Sequence, residues 1–216
     1  MSNGLLCLLF AILGFLSGSV MYSAIITRFI RHIDIRKVSD DGNAGAFNAF
    51  AHCGVVVGTI CLICDILKGF IPVLLGVLFC NIYSFGFIFV IIAPVLGHAV
   101  GMFSNFKGGK CISTIFGVMI ALVWVCPELF ILAGIYVVTC LLPGIHSNRT
   151  RSIIAFSCFL VVAFIVEATA GRIFIAIGCS LCALISIVRH LQSKEGNVDE
   201  QLKIDEEEVV ELHNNN

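Results

Sequence analysis

Gly97-His98-Ala99-Val100-Gly101-Met102-Phe103-Ser104-Asn105-Phe106-Lys107-Gly108-Gly109-Lys110 lies between two long apolar segments. A histidine, two lysines and a glycine pair are not what a plain connection between buried helices needs. Glycines let bare backbone N–H groups approach an anion, and ammoniums supply the opposing charge. The contrast points to an apolar helix bundle with a phosphate site at its mouth. Composition agrees. The chain of 216 residues is 59% hydrophobic and 12% charged, with a mean hydropathy of +1.04. A soluble domain carries about twice that charged fraction. The expected fold is therefore all-α, a polytopic membrane bundle of about seven transmembrane helices.

The expected spans cover approximately 4–27, 54–80, 82–98, 111–127, 128–145, 152–169 and 172–190. The second is interrupted by Asp65, Lys68, Gly69 and Pro72, and Pro127 with Glu128 forms a tight turn between the fourth and fifth. No basic residue precedes the first apolar run, so it reads as a retained span rather than a cleaved signal. Positive charge orients the bundle. With the N-terminus outside, the inward loops carry Arg28, Arg31, Arg36, Lys37, Lys107, Lys110, Arg149, Arg151, Arg189 and Lys194, and the outward loops only Arg172. That asymmetry puts the C-terminus in the cytoplasm. The same topology gathers the loop 34–52, the pair Asp65/Lys68 and the loop 97–110 at one face.

Residues 1–194 form the expected membrane domain, with twelve bases against six acids; the tail 195–216 has eight acids and one base. The basic body suits an anionic substrate or lipid headgroup. The tail reads as a solvated, disordered extension. Cys61/Cys64 and Cys179/Cys182 have C-x-x-C spacing, but both pairs fall inside apolar helical runs. No further ligands are placed to make a zinc site, so the expected role is small apolar packing, with no metal.

Three groups carry candidate chemistry. In the loop 34–52, Gly42 and Gly45 flank Asn43, with Asn48 a turn later; such a stretch either donates to phosphate and glycerol oxygens or simply caps a helix starting near Ala44. Asp65 and Lys68 share one helical face, as an internal ion pair or as a phosphate-binding lysine held by its acid. His98 stands among lysines, whose charge favours the neutral imidazole that serves as a base. Glu167 has no obvious base in sequence and reads as a packing or snorkelling residue.

The ordered motifs resemble the bacterial acyl-phosphate:glycerol-3-phosphate acyltransferases, small seven-span membrane enzymes. Gly18-Ser19 is similar to that family's Gly-Ser-Ile-Pro. Asp34-Ile-Arg36-Lys-Val and Gly42-Asn43-Ala-Gly45-Ala-Phe-Asn48 resemble its Asp-Ile-Arg and Gly-Asn-x-Gly-Ala-Thr-Asn. Asp65-Ile-Leu-Lys68-Gly69-Phe-Ile-Pro72-Val resembles Asp-x-x-Lys-Gly-x-x-Pro-Val. Gly97-His98 with Phe106-Lys107-Gly108-Gly109-Lys110 and Thr114 resembles Gly-His…Phe-Lys-Gly-Gly-Lys-Gly-x-Ala-Thr. The resemblance covers roughly 18–122. Departures fall in the loop 39–51, at Gly101 and after the final span, where the family's basic sequence keeps Arg189-His190 but continues Leu-Gln-Ser-Lys. The family's Gly-Ser-Gly-Asn becomes Ser39-Asp40-Asp41-Gly42-Asn43, one residue longer and with acid in place of serine; Phe47 stands for a threonine, Ala51 for a basic residue and Gly101 for a proline.

The resemblance implies transfer of a fatty acyl group from acyl phosphate to the 1-hydroxyl of glycerol 3-phosphate, giving lysophosphatidic acid and phosphate. It implies His98, Asn43 and Lys107 as catalytic residues. Ser19, Arg36, Gly42, Gly45, Asn48, Asp65, Lys68, Gly108, Gly109, Lys110 and Thr114 would bind substrate. No cofactor and no nucleic acid are implied. The implied location is the cell membrane, with the site facing the cytoplasm, lipid around the bundle and an acyl-phosphate-forming enzyme as a candidate partner. Three other readings stand beside it: a transporter or flippase, disfavoured by the lack of an internal repeat; a non-catalytic lipid- or partner-binding relative; and an acyltransferase for a different acceptor. The acids at Asp40 and Asp41 favour the last two.

Overall fold

The computed structural model describes residues 1–145 and 147–193; the acidic tail lies outside the described residues. Ten α-helices and no strand occur among the described residues. They are α1 (Asn3–Ser19), α2 (Tyr22–Arg31), α3 (Ile35–Val38), α4 (Ala46–Cys53), α5 (Val55–Phe79), α6 (Phe87–Val100), α7 (Ile112–Leu122), α8 (Glu128–Leu141), α9 (Asn148–Thr169) and α10 (Ile173–Gln192). Five helical stretches are long and apolar enough to cross a membrane: Asn3–Arg31, Val55–Phe79, Phe87–Ser104, Asn148–Thr169 and Ile173–Gln192. The fourth and fifth expected spans are the shorter apolar helices α7 and α8.

The outside of the bundle is as apolar as its inside. Leu8, Ile12, Ile63, Ile71, Val161 and Ile165 are exposed, a surface that only lipid or protein can cover. Inside, Phe87, Ile91, Ile115, Met119, Phe156 and Phe159 form the core with Cys179 and Cys182, which take the packing role expected of them. Helices approach closely through glycines, as they do where lipid offers no hydrophobic drive to associate. A Cβ on Gly18 of α1 would overlap the Pro94 carbonyl of α6, and one on Gly97 would overlap the Phe15 carbonyl of α1. Gly117 of α7 meets the Ile66 carbonyl of α5 in the same way.

Two expected segments differ from what forms. The first span breaks at Val20 and Met21 into α1 and α2. The second is not interrupted: α5 runs 25 residues straight through Pro72. Proline has no N–H for the carbonyl four residues earlier, which here is that of Lys68. The Ser17 hydroxyl of α1 donates to that carbonyl at 3.1 Å, so the missing backbone bond is replaced from a neighbouring helix.

The two ends of the bundle differ chemically. At one end Asn3 donates to the Ser84 hydroxyl and accepts from the Asn81 N–H. There Arg172 pairs with fully buried Glu167, five residues earlier, and Glu128 lies beside them, also fully buried. Glu167 therefore has the base that its sequence neighbourhood did not reveal. At the other end α3, α4, the loop 101–111 and the C-terminal turns of α10 converge.

Candidate active site

His98 occupies the last turn of α6, which stops at Gly101 in the left-handed region (φ +62°). Asn105, Phe106 and Cys111 also take positive φ, an uncommon conformation for residues with a Cβ. These reversals fold the loop back against α6, where the Gly109 N–H donates to the His98 carbonyl at 3.0 Å. The imidazole is buried, with Nδ1 3.2 Å from the hydroxyl of Thr114 on α7. A Cβ on Gly109 would overlap His98 Nε2 and reach to 3.2 Å from Asn43 Oδ1. Only glycine lets histidine, loop and carboxamide come this close. From α10, Arg189 donates to the Gly108 and Gly109 carbonyls at 2.8 and 3.1 Å, and Ser186 donates to that of Lys110 at 2.9 Å. The glycine pair is thus clamped from both sides.

The loop between α3 and α4 supplies the opposite wall. Gly42 turns it in the left-handed region (φ +63°), and α4 begins at Ala46 with Gly45 at its N-cap. The Asn48 carboxamide donates to the Asn43 carbonyl at 2.7 Å. Asp41 lies at the centre. Its carboxylate is 2.8 Å from Lys110 Nζ and accepts from the Asn43 N–H at 3.0 Å and Asn48 Nδ2 at 2.9 Å. Burial pushes its pKa up, but the hydrogen bonds from Lys110, Asn43 and Asn48 and the Lys110 charge outweigh that. The carboxyl is held below its usual value.

Asp65 and Lys68 pair within α5 at 2.8 Å, both buried. Ser23 of α2 donates to Asp65 at 3.2 Å, and Lys68 Nζ donates to the Val20 carbonyl at 2.7 Å. The pair fastens the α1–α2 break against α5. Lys68 spends its charge on this structural contact, while Asp65 faces the site.

A cavity of about 260 Å3 opens among these groups. Of the expected site residues it brings together Asn43, Gly45, Asn48, Asp65, His98 and Lys110. Thr114 stands behind His98, and Gly108 and Gly109 form the floor with Lys110 and Arg189 of a smaller adjoining recess. The rest lie elsewhere. Ser19 is fully buried and donates back to the Phe15 carbonyl within α1. Lys107 and Arg36 line a separate open groove with Arg28 and Lys37; Arg36 donates to the Lys107 carbonyl at 2.8 Å. Tyr136, Arg151, Ser152 and His190 reach the cavity from α8, α9 and α10, unanticipated except for the basic character of Arg189-His190. No group of three or more metal-ligating side chains occurs among the described residues.

Comparisons with known proteins agree on one family. The family model described as glycerol-3-phosphate acyltransferase matches residues 8–196. The glycerol-3-phosphate acyltransferase of Pseudothermotoga lettingae is 31% identical over 189 residues, which is 87% of this chain and 88% of that protein. That of Thermotoga petrophila is 41% identical over 130 residues, covering 60% of this chain and 65% of that relative's length. Among solved structures, PlsY (YgiH), an integral membrane glycerol 3-phosphate acyltransferase in its glycerol 3-phosphate form, superposes with a TM-score of 0.69. It is 28% identical, with 91% of this chain and 92% of that one covered. Its lysophosphatidic acid form superposes with a TM-score of 0.68 and is 26% identical.

Proposed function

We infer the reaction of this chain from its family: it belongs to the glycerol-3-phosphate acyltransferases, and its donor is an acyl phosphate. The 1-hydroxyl oxygen of glycerol 3-phosphate attacks the acyl carbon. An ester bond forms, the acyl carbon–oxygen bond to phosphorus breaks, and phosphate leaves with the electron pair. The products are lysophosphatidic acid and inorganic phosphate. A mixed anhydride is already activated, so no covalent enzyme intermediate is needed; positioning two anions and offsetting their repulsion is the main task.

The observation that carries this reading is the setting of His98, a buried imidazole beside a clamped Gly-Gly turn in a cavity with Lys110, Asn43 and Asn48. In the tautomer whose Nδ1–H donates to Thr114, Nε2 is left to accept the hydroxyl proton, or to orient the hydroxyl while the leaving phosphate takes it. Lys110 and Asn48 hold phosphate, and the acyl chain lies along the apolar bundle. Lys107 and Arg36 attract anionic substrate from their separate groove on the same basic end. The chain sits in the cell membrane with its N-terminus outside and the site facing the cytoplasm, as the bias of basic residues supports. An enzyme that makes acyl phosphate is the natural partner.

The test is turnover by purified protein given labelled glycerol 3-phosphate with palmitoyl phosphate or, in a parallel arm, palmitoyl coenzyme A. The reading expects lysophosphatidic acid from palmitoyl phosphate alone, and none from His98→Ala. Product from the thioester only would replace the donor, and full activity in His98→Ala would remove the histidine's role. The Asp41–Lys110 pair favours one second reading, an acceptor other than glycerol 3-phosphate. Product from another labelled polyol or aminoalcohol in its place would support that.

A further inference from the structure

Asp41 is held the way a bound anion is held. An ammonium at 2.8 Å, a backbone N–H at 3.0 Å and a carboxamide at 2.9 Å converge on its two oxygens. Charged and neutral donors focused on one oxyanion are the usual make-up of a phosphate site. The Asp41 and Lys110 side chains are 15% and 16% exposed, and both face the cavity that contains His98. The carboxylate is therefore where a substrate oxyanion would gather the same donors.

We propose that Asp41 is a built-in anion plug: its carboxylate occupies the phosphate-binding position of the active site, and a substrate phosphate monoester binds by displacing it from Lys110, Asn43 and Asn48. The proposal rests on the reading that this cavity takes phosphate-bearing substrates. Displacement is a like-for-like exchange, because Lys110 trades one anion for another and is never left bare in a partly buried site. Asp41 sits in a non-helical turn next to Gly42, which already uses a backbone region open to few other residues. A small rotation of this turn carries the carboxylate outward to solvent. The plug lowers affinity for every phosphate at this position, the product phosphate included, so it trades tight substrate capture for quick emptying of the site. The serine that the family pattern shows here has no charge with which to compete.

Binding and turnover are measured together. Inorganic phosphate is titrated into the purified full chain, its Kd read by calorimetry, for wild type, Asp41→Asn and Asp41→Ser. KM is then measured separately for glycerol 3-phosphate and for palmitoyl phosphate. Removing the competing charge is expected to tighten phosphate about tenfold, the size of one charge-assisted contact. The KM that falls identifies whose phosphate displaces the plug. Adding Lys110→Ala to either variant removes the gain. Unchanged or weaker phosphate binding in both folded variants overturns the proposal and makes Asp41 an ordinary wall of the site, or an acceptor for substrate hydroxyls. A gain in phosphate affinity with no lysophosphatidic acid from any form keeps the plug and sinks the acyltransferase reading. Turnover without the gain does the reverse.

Discussion

Gly109 shows how little room the proposed reaction centre leaves. Its Cα lies where a side chain would press on His98 Nε2, and its N–H holds the His98 carbonyl. A methyl group there displaces the imidazole by a fraction of its own width without removing any functional group. Gly109→Ala is expected to lower kcat about 100-fold, the usual cost of a small misplacement in a reacting constellation, while the folded yield stays that of the wild type. Wild-type turnover in this variant would remove His98 Nε2 from the chemistry. The two lysines flanking the glycines illustrate what residue patterns leave out. Lys107 and Lys110 are chemically equal and three apart, yet one faces the cavity and the other a separate groove. Left-handed backbone at Asn105, Phe106 and Cys111 folds this loop back on α6, and of the three only asparagine commonly takes that conformation. His98, the glycine pair, Asn43 and Asn48 were legible because their chemistry is out of place in an apolar chain. Tyr136, Ser152 and His190 were not, because only tertiary packing brings α8, α9 and α10 to the cavity.

At the scale of the helix, apolarity identified where elements lie and missed how they break. Val20 and Met21 look like the middle of a span. They form its break because Lys68, forty-eight residues away, donates to the Val20 carbonyl. Pro72 looks like a break and is not one, because Ser17 replaces the lost bond at the Lys68 carbonyl. Both corrections join α1 to the same turn of α5, at residues no local window connects. They also make a thermodynamic cycle. Ser17→Ala leaves a buried carbonyl unpaired, at a cost of about 1–2 kcal/mol, or roughly 3–6 °C in Tm. Pro72→Ala restores the helix's own N–H, so the double variant is expected to recover most of that loss. Equal Tm losses for Ser17→Ala with and without Pro72→Ala would show that the hydroxyl does not substitute for the proline's missing donor.

For the molecule as a whole, the basic end with the proposed site is set apart from the end that carries Arg172, Glu167 and Glu128. From Arg172 to His190 the length of α10 amounts to roughly 27 Å. The far cluster thus stabilises the bundle without touching the chemistry. Removing the guanidinium strands a fully buried carboxylate, a change that costs about 3–5 kcal/mol in comparable pairs. Arg172→Ala is expected to lower Tm by roughly 9–15 °C, and Glu167→Gln in the same chain to restore part of it. Measured well below Tm, turnover per folded molecule should match wild type. A large loss of kcat in a folded Arg172→Ala protein would mean that the two ends are coupled.

The short helices have a consequence for the lipid around them. At 1.5 Å per residue, α7 and α8 are about 16 and 21 Å long, against roughly 30 Å of hydrocarbon in an ordinary bilayer. Acyl chains beside α8, whose Phe130, Val137 and Leu141 are exposed, must shorten or tilt to meet it. Thinning of that kind would bring the water boundary toward the Lys110 cavity, which Tyr136 and Cys140 of α8 line. On the reaction proposed above, a dissolved polyol phosphate and an amphiphile anchored by its tail would then reach the same depth, and a thinned patch of membrane would itself help the two substrates meet.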